Sequence, residues 1–215
     1  MSNLSHPIFA RFWKLCSPVA DRAGSADHRR ELLEHVHGNV VEIGAGLGSN
    51  FKFYPDQVDH IKALEPEPYL AAKAEQEADR IRNSKGLSIE VLRGDSNSLP
   101  IDNGWADVVV FSLVLCSIAN PIAALAEARR VLKPSGFLTV YEHVRSDAPK
   151  EAARQDFANR LWPRLLGGCN CNRNTPQVIA DCGFDVTSER RFRFKAAKFW
   201  IPVEPHVILE AHLRG

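Results

Sequence analysis

Gly44, Gly46 and Gly48 stand at alternate positions directly behind the apolar run of NVVEI, in the stretch VVEIGAGLGSNFKFYP (40–55). Glycine allows backbone turns and close approaches that a Cβ forbids, and a strand that ends in such a turn belongs to few folds. The rest of the chain keeps the same rhythm of short apolar runs and longer helical patterns, which predicts a parallel sheet wrapped by helices. Strands are expected near 39–43, 59–64, 88–92, 107–112 and 136–142, with helices at 25–37, 67–83 and 120–132. Pro68 suits a first helical turn, where its missing N–H costs nothing. Pro134 and Gly136 are expected to end the third helix and turn the chain into the next strand. Beyond residue 145 a helix-like stretch (150–166) and a short helix begun by TPQVIADCG lead to FDVTSERRFRF and HVILEAHLR. Those two alternating segments predict an antiparallel terminal pair.

Composition bounds the reading. A chain of 215 residues, 45% hydrophobic and 25% charged, is expected to form one domain with a real core. A formal charge of +1 argues against a surface built to grip nucleic acid. The opening MSNLSHPIFARFWKLC lacks the pattern of a signal peptide, and the longest apolar run, VVVFSLVLCSIA (108–119), is short of the roughly 20 residues of a membrane span. Five cysteines in no framework spacing suggest reduced thiols and a cytoplasmic protein. Cys169 and Cys171 make a C-x-C pair, but two ligands do not make a structural zinc site and the sequence offers no matching pair, so no metal is expected.

A glycine turn of this kind can cradle a dinucleotide, a nucleotide phosphate or S-adenosylmethionine. The dinucleotide pattern is G-x-G-x-x-G; in EIGAGLG the third glycine comes one residue early and Glu42 precedes the first. A carboxylate beside a pyrophosphate repels it, whereas beside the ammonium of an amino-acid cofactor it attracts. No G-K-[ST] is present, which removes a P-loop. Glu65 closes the second strand about 20 residues past the loop, where an acid grips ribose hydroxyls, with Pro66 after it. Asp95 and Ser96 lie in RGDSNSLP behind the third strand, a stretch that read alone is a helix or turn cap and by resemblance to class I methyltransferases implies an adenine contact. Together these features point to S-adenosylmethionine, with S-adenosylhomocysteine as product. The cofactor residues expected are Glu42, Gly44, Ala45, Gly46, Gly48, Asn50, Glu65, Pro66, Asp95, Ser96 and Ser112.

The order of these motifs resembles the class I S-adenosylmethionine-dependent methyltransferases of type 11. More narrowly, EIGAGLGSNFKFYP, ADVVVFSLVLCSIAN, EARRVLKPSGFLTVYEHV and WPRLLGGCNCNRNT resemble the branch that methylates thiols on small molecules. The resemblance implies an α/β, Rossmann-like fold: a seven-stranded, mostly parallel sheet with one antiparallel strand and helices on both faces. It also implies an N-terminal lid-like segment (1–24), a cofactor-binding half (25–145) and an acceptor-side half (146–215). The animal members carry an apolar N-terminal membrane segment. This chain has only a short amphipathic one, so membrane attachment is not carried over.

The side chains left for the acceptor are few. His143, at the end of YEHV, is a candidate base, or else a histidine bonded to a loop carbonyl. Glu142 alternates to the other face of the strand. Cys116, Trp162, Phe12 and Trp13 are the expected acceptor-side residues, with Cys116 a pocket-lining thiol rather than a nucleophile. Ile8, Phe12 and Leu15 share a helical face that either lids the pocket or packs on the sheet edge; Trp13 beside Arg11 and Lys14 allows weak contact with a membrane surface. In RRFRFKAAKFW, alternation turns Phe192 and Phe194 inward and Arg191, Arg193 and Lys195 outward. The expected function is methyl transfer to a small molecule, most simply a thiol. A phospholipid or quinone-type acceptor, or a non-catalytic cofactor-binding partner protein, stand as alternatives.

Overall fold

The computed structural model describes residues 7–195 and 201–215, apart from the side chains at positions 7–9, 12 and 13. Seven strands, β1 (Gly38–Ile43), β2 (Val58–Leu64), β3 (Ser88–Leu92), β4 (Ala106–Ser112), β5 (Leu132–His143), β6 (Phe184–Arg193) and β7 (Pro205–Leu213), form a single sheet of order β3-β2-β1-β4-β5-β7-β6. The first five pair in parallel; β7 runs antiparallel to both β5 and β6. The expected seven-stranded α/β fold is therefore the observed one.

The central strands are buried on both faces, which is why they read as unbroken apolar runs. Val41, Ile43, Val109, Phe111, Leu138 and Val140 pack on one side with α4 (Pro121–Val131) and α7 (Thr175–Asp181). Val40, Val108, Val110 and Tyr141 face the other side, with α2 (Ala26–Leu33) and α3 (Pro68–Lys85). The outermost strand β6 is mostly exposed and carries its charges there, a common way of blunting a sheet edge. Within it Phe192 is half-buried between exposed Arg191 and Arg193, as alternation predicts, and its ring stacks on His206.

Helix ends follow local chemistry. The Glu67 carboxylate caps α3 by accepting from the Leu70 N–H, Pro68 opens its first turn, and Gly86 closes it at φ 71°. Three expectations need correction. The helix expected over 25–37 stops at Leu33. The stretch 150–166 is divided into α5 (Pro149–Ala158) and α6 (Trp162–Leu165), joined by a turn in which Asn159 and Leu161 donate back to Gln155 and Ala158. Pro134 and Gly136 do not end a helix ahead of the strand: α4 ends at Val131, and KPSG lies within β5 where its register shifts between Leu132, opposite Ala106, and Phe137, opposite Val108. A proline is accommodated there because the pairing is interrupted.

Candidate functional site

The carboxyl ends of the parallel strands meet along one edge of the sheet, where ligands of open α/β sheets are bound. The turn behind β1 is built on that edge. Gly44, Gly46 and Gly48 all have left-handed φ, at 76°, 59° and 74°. The N–H groups of Gly44 and Ala45 donate to the Leu64 carbonyl at 2.8 and 2.9 Å. A Cβ on Gly44 would stand 2.3 Å from Val114 Cγ2, and one on Gly48 would stand 2.7 Å from the Phe51 ring. Glycine is thus required by the turn itself, before any ligand is considered.

Glu65 braces this turn. One carboxylate oxygen accepts from the Gly46 N–H at 2.8 Å and the other from the Glu67 N–H at 3.0 Å, with half-buried Pro66 between the two acids. Burial raises the Glu65 carboxyl above its ordinary range, against the pull of those two N–H bonds. Behind β3, Asp95 and Ser96 are half-buried, and Asp95 Oδ1 accepts from the backbone and side-chain nitrogens of Asn97 at 3.0 and 2.8 Å. The turn-cap alternative for Asp95 is thus realised in the geometry.

Glu42 is fully enclosed. Its oxygens accept from Asn50 Nδ2 at 2.8 Å and from the Tyr54 hydroxyl at 2.7 Å, and burial lifts its carboxyl to about 7. Asn50 is held in turn by Arg29, whose guanidinium donates to Asn50 Oδ1 at 2.7 Å, to Ser112 Oγ at 3.1 Å and to Asp21 at 3.3 Å. Both ends of the Asn50 amide are therefore committed to protein groups, and Asn50 orients Glu42 rather than presenting a free amide. Arg29 and Tyr54 escaped the sequence reading. Tyr54 stood inside the quoted NFKFYP stretch, but Arg29 lies in α2, with no local pattern marking it as buried.

A second buried cluster gathers residues from three separate segments. His143, at the end of β5, sets Nε2 at 3.2 Å from Cys169 Sγ, and the Trp162 indole N–H donates to the same sulfur at 3.2 Å. Cys116 Sγ belongs to this group: its sulfur, the Cys169 sulfur and a His143 ring nitrogen all lie within 4.8 Å of one another, and all three residues are buried. The Cys116 thiol is pushed well above the ordinary cysteine range by its hydrogen bond with Cys169, by burial and by the Glu142 carboxylate. His143 Nδ1 has no partner among the described residues, so neither a loop carbonyl nor a carboxylate fixes it. The C-x-C pair is split, because Cys171 turns its sulfur toward Gln155 O at 3.6 Å and Asn159 Oδ1 at 3.5 Å.

The turn behind β4 that carries Cys116 is pinned from both sides. The Glu142 carboxylate accepts from the N–H groups of Val114, Leu115 and Cys116. Arg173 donates to the carbonyls of Leu115 and Ile118, and Asn170 donates to the Cys116 carbonyl through both its backbone and its side chain. Glu142 and Arg173 thus hold the backbone around Cys116. The N-terminal helix α1 (Pro7–Ala20) reaches the glycine turn through Ser17 Oγ, 3.4 Å from Ser49 Oγ. Leu15 on it is 73% exposed, and the side chains of Phe12 and Trp13 lie outside the described residues.

A glycine turn at the end of β1, an acid at the end of β2 and this strand order define a Rossmann-like fold of the methyltransferase type. The comparisons carry the class to a family. A family model described as "Methyltransferase domain" matches residues 41–140. The thiol S-methyltransferase TMT1B of Homo sapiens is 30% identical over 193 residues, covering 85% of this chain and 77% of that protein. The chain belongs to the class I S-adenosylmethionine-dependent methyltransferases, and S-adenosylmethionine is its cofactor. Among solved structures, a chain titled a possible histamine N-methyltransferase from Thermotoga maritima is 20% identical with a TM-score of 0.69, covering 95% of this chain and 98% of that one. The [4+2]-cyclase SpnF is 17% identical with a TM-score of 0.70 over 96% of this chain and 95% of that one. These two likenesses speak for the fold, and their differing titles show that the fold alone does not name a reaction.

The residues present fit the cofactor. The glycine turn lies at the carboxyl edge of the sheet, and the buried groups beside it, Glu42 and Glu65, are acids. Acids suit a ligand that carries an ammonium, a sulfonium and ribose hydroxyls; Glu42 at the turn would repel a pyrophosphate, whereas an acid in the place of Glu65 serves the ribose of either cofactor. Among the described residues, no helix is long and apolar enough to cross a membrane.

Proposed function

We propose that the protein methylates a small-molecule thiol. The observation that carries this reading is the reach of the likeness to the TMT1B relative, which runs over 85% of the chain and so extends past the cofactor half into the acceptor side. S-adenosylmethionine supplies a methyl group on a sulfonium whose departing sulfur is neutral. The protein's task is then to hold the partners in line and exclude water.

In this reading Glu65 takes the ribose hydroxyls, Glu42 faces the ammonium end, and Asp95 with Ser96 borders the adenine. Gly44, Ala45, Gly46 and Gly48 line the turn; Asn50 and Ser112 reach the ligand only through the Arg29 and Glu42 network; Pro66 stiffens the approach to Glu65. His143, Cys116 and Trp162 border the acceptor. A free thiol near pKa 8.5 needs only modest help to reach its reactive thiolate form. The acceptor-side cluster of sulfur and imidazole is a chemically suitable neighbour for one.

The test is methyl transfer from labelled S-adenosylmethionine to alkyl thiols, hydrogen sulfide, amines, phenols and a phospholipid. Transfer confined to the sulfur acceptors is the expected result; transfer to amines or phenols alone would overturn the thiol assignment. A second reading, a lipid or quinone-type acceptor, draws support from Phe157, Leu161 and Leu165. Phe157 on α5, Leu161 in the turn after it and Leu165 on α6 are 71%, 62% and 71% exposed, large apolar side chains left in water on the C-terminal part of the chain. Transfer to the phospholipid in the same assay would favour it.

A further inference from the structure

We propose that Cys116, His143 and Cys169 form a zinc-binding site with an open fourth position, and that this position takes the acceptor sulfur. The second half of the proposal rests on the thiol reading above; the first half stands without it.

The donors converge from three elements far apart in sequence: the turn behind β4, the end of β5 and the segment behind α6. Two thiols and an imidazole are the donor types zinc prefers. Tetrahedral bonds of about 2.3 Å to sulfur and about 2.0 Å to nitrogen set neighbouring ligand atoms roughly 3.5–3.8 Å apart. The observed His143–Cys169 separation is 3.2 Å, and the three ligand atoms all lie within 4.8 Å of one another. The His143–Cys169 pair would open by about 0.3 Å, and the other separations, bounded by 4.8 Å, would close by no more than about 1 Å to enclose a cation. Three protein ligands with a vacant fourth direction are the usual composition of catalytic zinc sites, whereas structural sites close with four.

The surroundings suit a metal–thiolate centre. The Trp162 indole N–H already donates to Cys169 Sγ at 3.2 Å, a contact that stabilises negative charge on sulfur. The Glu142 carboxylate, which raises the Cys116 thiol and so opposes its ionisation, is offset in part by the N–H groups of Val114, Leu115 and Cys116 that donate to it, and the cation on loading would outweigh it. On loading, the two cysteine protons leave to solvent, and two thiolates balance the charge of Zn²⁺. A thiol entering the fourth position would lose its proton in the same way. The site also stands beside the cofactor turn, since Val114, two residues from Cys116, fills the space over Gly44.

The decisive measurement is metal content, by mass spectrometry, of the full chain purified from zinc-supplemented cells, followed by exchange with cobalt(II). The expected result is zinc equimolar with protein. The cobalt form should show thiolate charge-transfer absorption that deepens on adding an alkyl thiol. Cys169→Ala should lose most of the zinc, while Cys171→Ser, outside the cluster, keeps it; calorimetric binding of S-adenosylhomocysteine checks that each variant is folded. Zinc absent from folded wild-type protein, with no cobalt uptake, overturns the site whatever the methylation assay shows. Cobalt bound but blind to thiol, in protein that methylates thiols, overturns the role of the fourth position. A thiol-responsive cobalt spectrum without thiol methylation supports the site and sinks the function reading instead.

Discussion

A carboxyl group buried with two neutral donors is poised between its charge states, and Glu42 is held in this way by Asn50 and Tyr54. Its folded pKa of about 7 stands above the unfolded value of 4.5, because burial disfavours the charge. The folded chain therefore holds this proton more tightly than the unfolded chain. The associated stability is fully present below pH 4.5 and is lost as pH rises through about 7, a loss on the order of 3 kcal/mol. Glu65 and Glu142 are displaced in the same direction, so the informative quantity is a difference. Chemical denaturation of cofactor-free protein between pH 5 and 8 should show a shallower decline for Glu42→Gln than for wild type; parallel curves would refute the shift. Glu65 allows a second prediction. Its two backbone bonds brace the turn, and in the proposed reading its carboxylate also binds ribose, so Glu65→Ala should weaken cofactor binding by about 1–3 kcal/mol. Calorimetry showing unchanged affinity would remove Glu65 from the site.

At the scale of elements, much of the C-terminal part of the chain is tied together by single side chains reaching several segments. Gln155 on α5 is fully buried, and its amide nitrogen faces the carbonyls of Val144, Cys171 and Pro202 at 3.0, 2.9 and 2.8 Å, while its oxygen accepts from the Ser146 N–H at 2.7 Å. One NH₂ group has two hydrogens, so three carbonyls share them, and all three segments depend on this one residue. Gln155→Leu keeps the volume and leaves these groups without partners. It should cost about 2–3 kcal/mol and lower the melting temperature by about 4–12 °C. A change below about 2 °C, on the same scale, would mean that water replaces the amide without loss. The sequence pattern around α5 shows the helix but not this role, because a buried glutamine on an amphipathic helix looks like any polar position until its neighbours arrive. The same holds for the turn behind β4. Leu113 adopts φ 56°, and the turn is held by Glu142, Asn170 and Arg173, partners 26 to 58 residues away. Alternation predicts that Glu142 and His143 point to different sides of β5, but it does not reveal that both meet the turn at Cys116, one pinning its backbone and the other beside its sulfur.

Across the whole molecule, what was legible in the sequence is what local chemistry encodes: doubly buried strands as apolar runs, glycines where φ must be positive, proline at first helical turns, and an acid at the end of β2. What was illegible is what the sheet brings together. Cys116, His143 and Cys169 carry no shared spacing, and the C-x-C pair suggested a partnership that the fold divides. The cofactor half, by contrast, couples local motifs to global stability. Ligand bound only by the folded state stabilises it by about 2.7 kcal/mol at one hundred times its dissociation constant. For a chain of this size that amounts to a rise in melting temperature of about 5–10 °C. S-adenosylmethionine and S-adenosylhomocysteine should both produce it. NAD should not, because its pyrophosphate would have to approach a turn backed by the buried acid Glu42. Glu65→Ala should shrink the rise at fixed ligand concentration without abolishing it, since the glycine turn remains. Equal shifts from NAD and S-adenosylmethionine would show that Glu42 does not set the choice of cofactor, and that the shape of the turn alone is what the ligand reads.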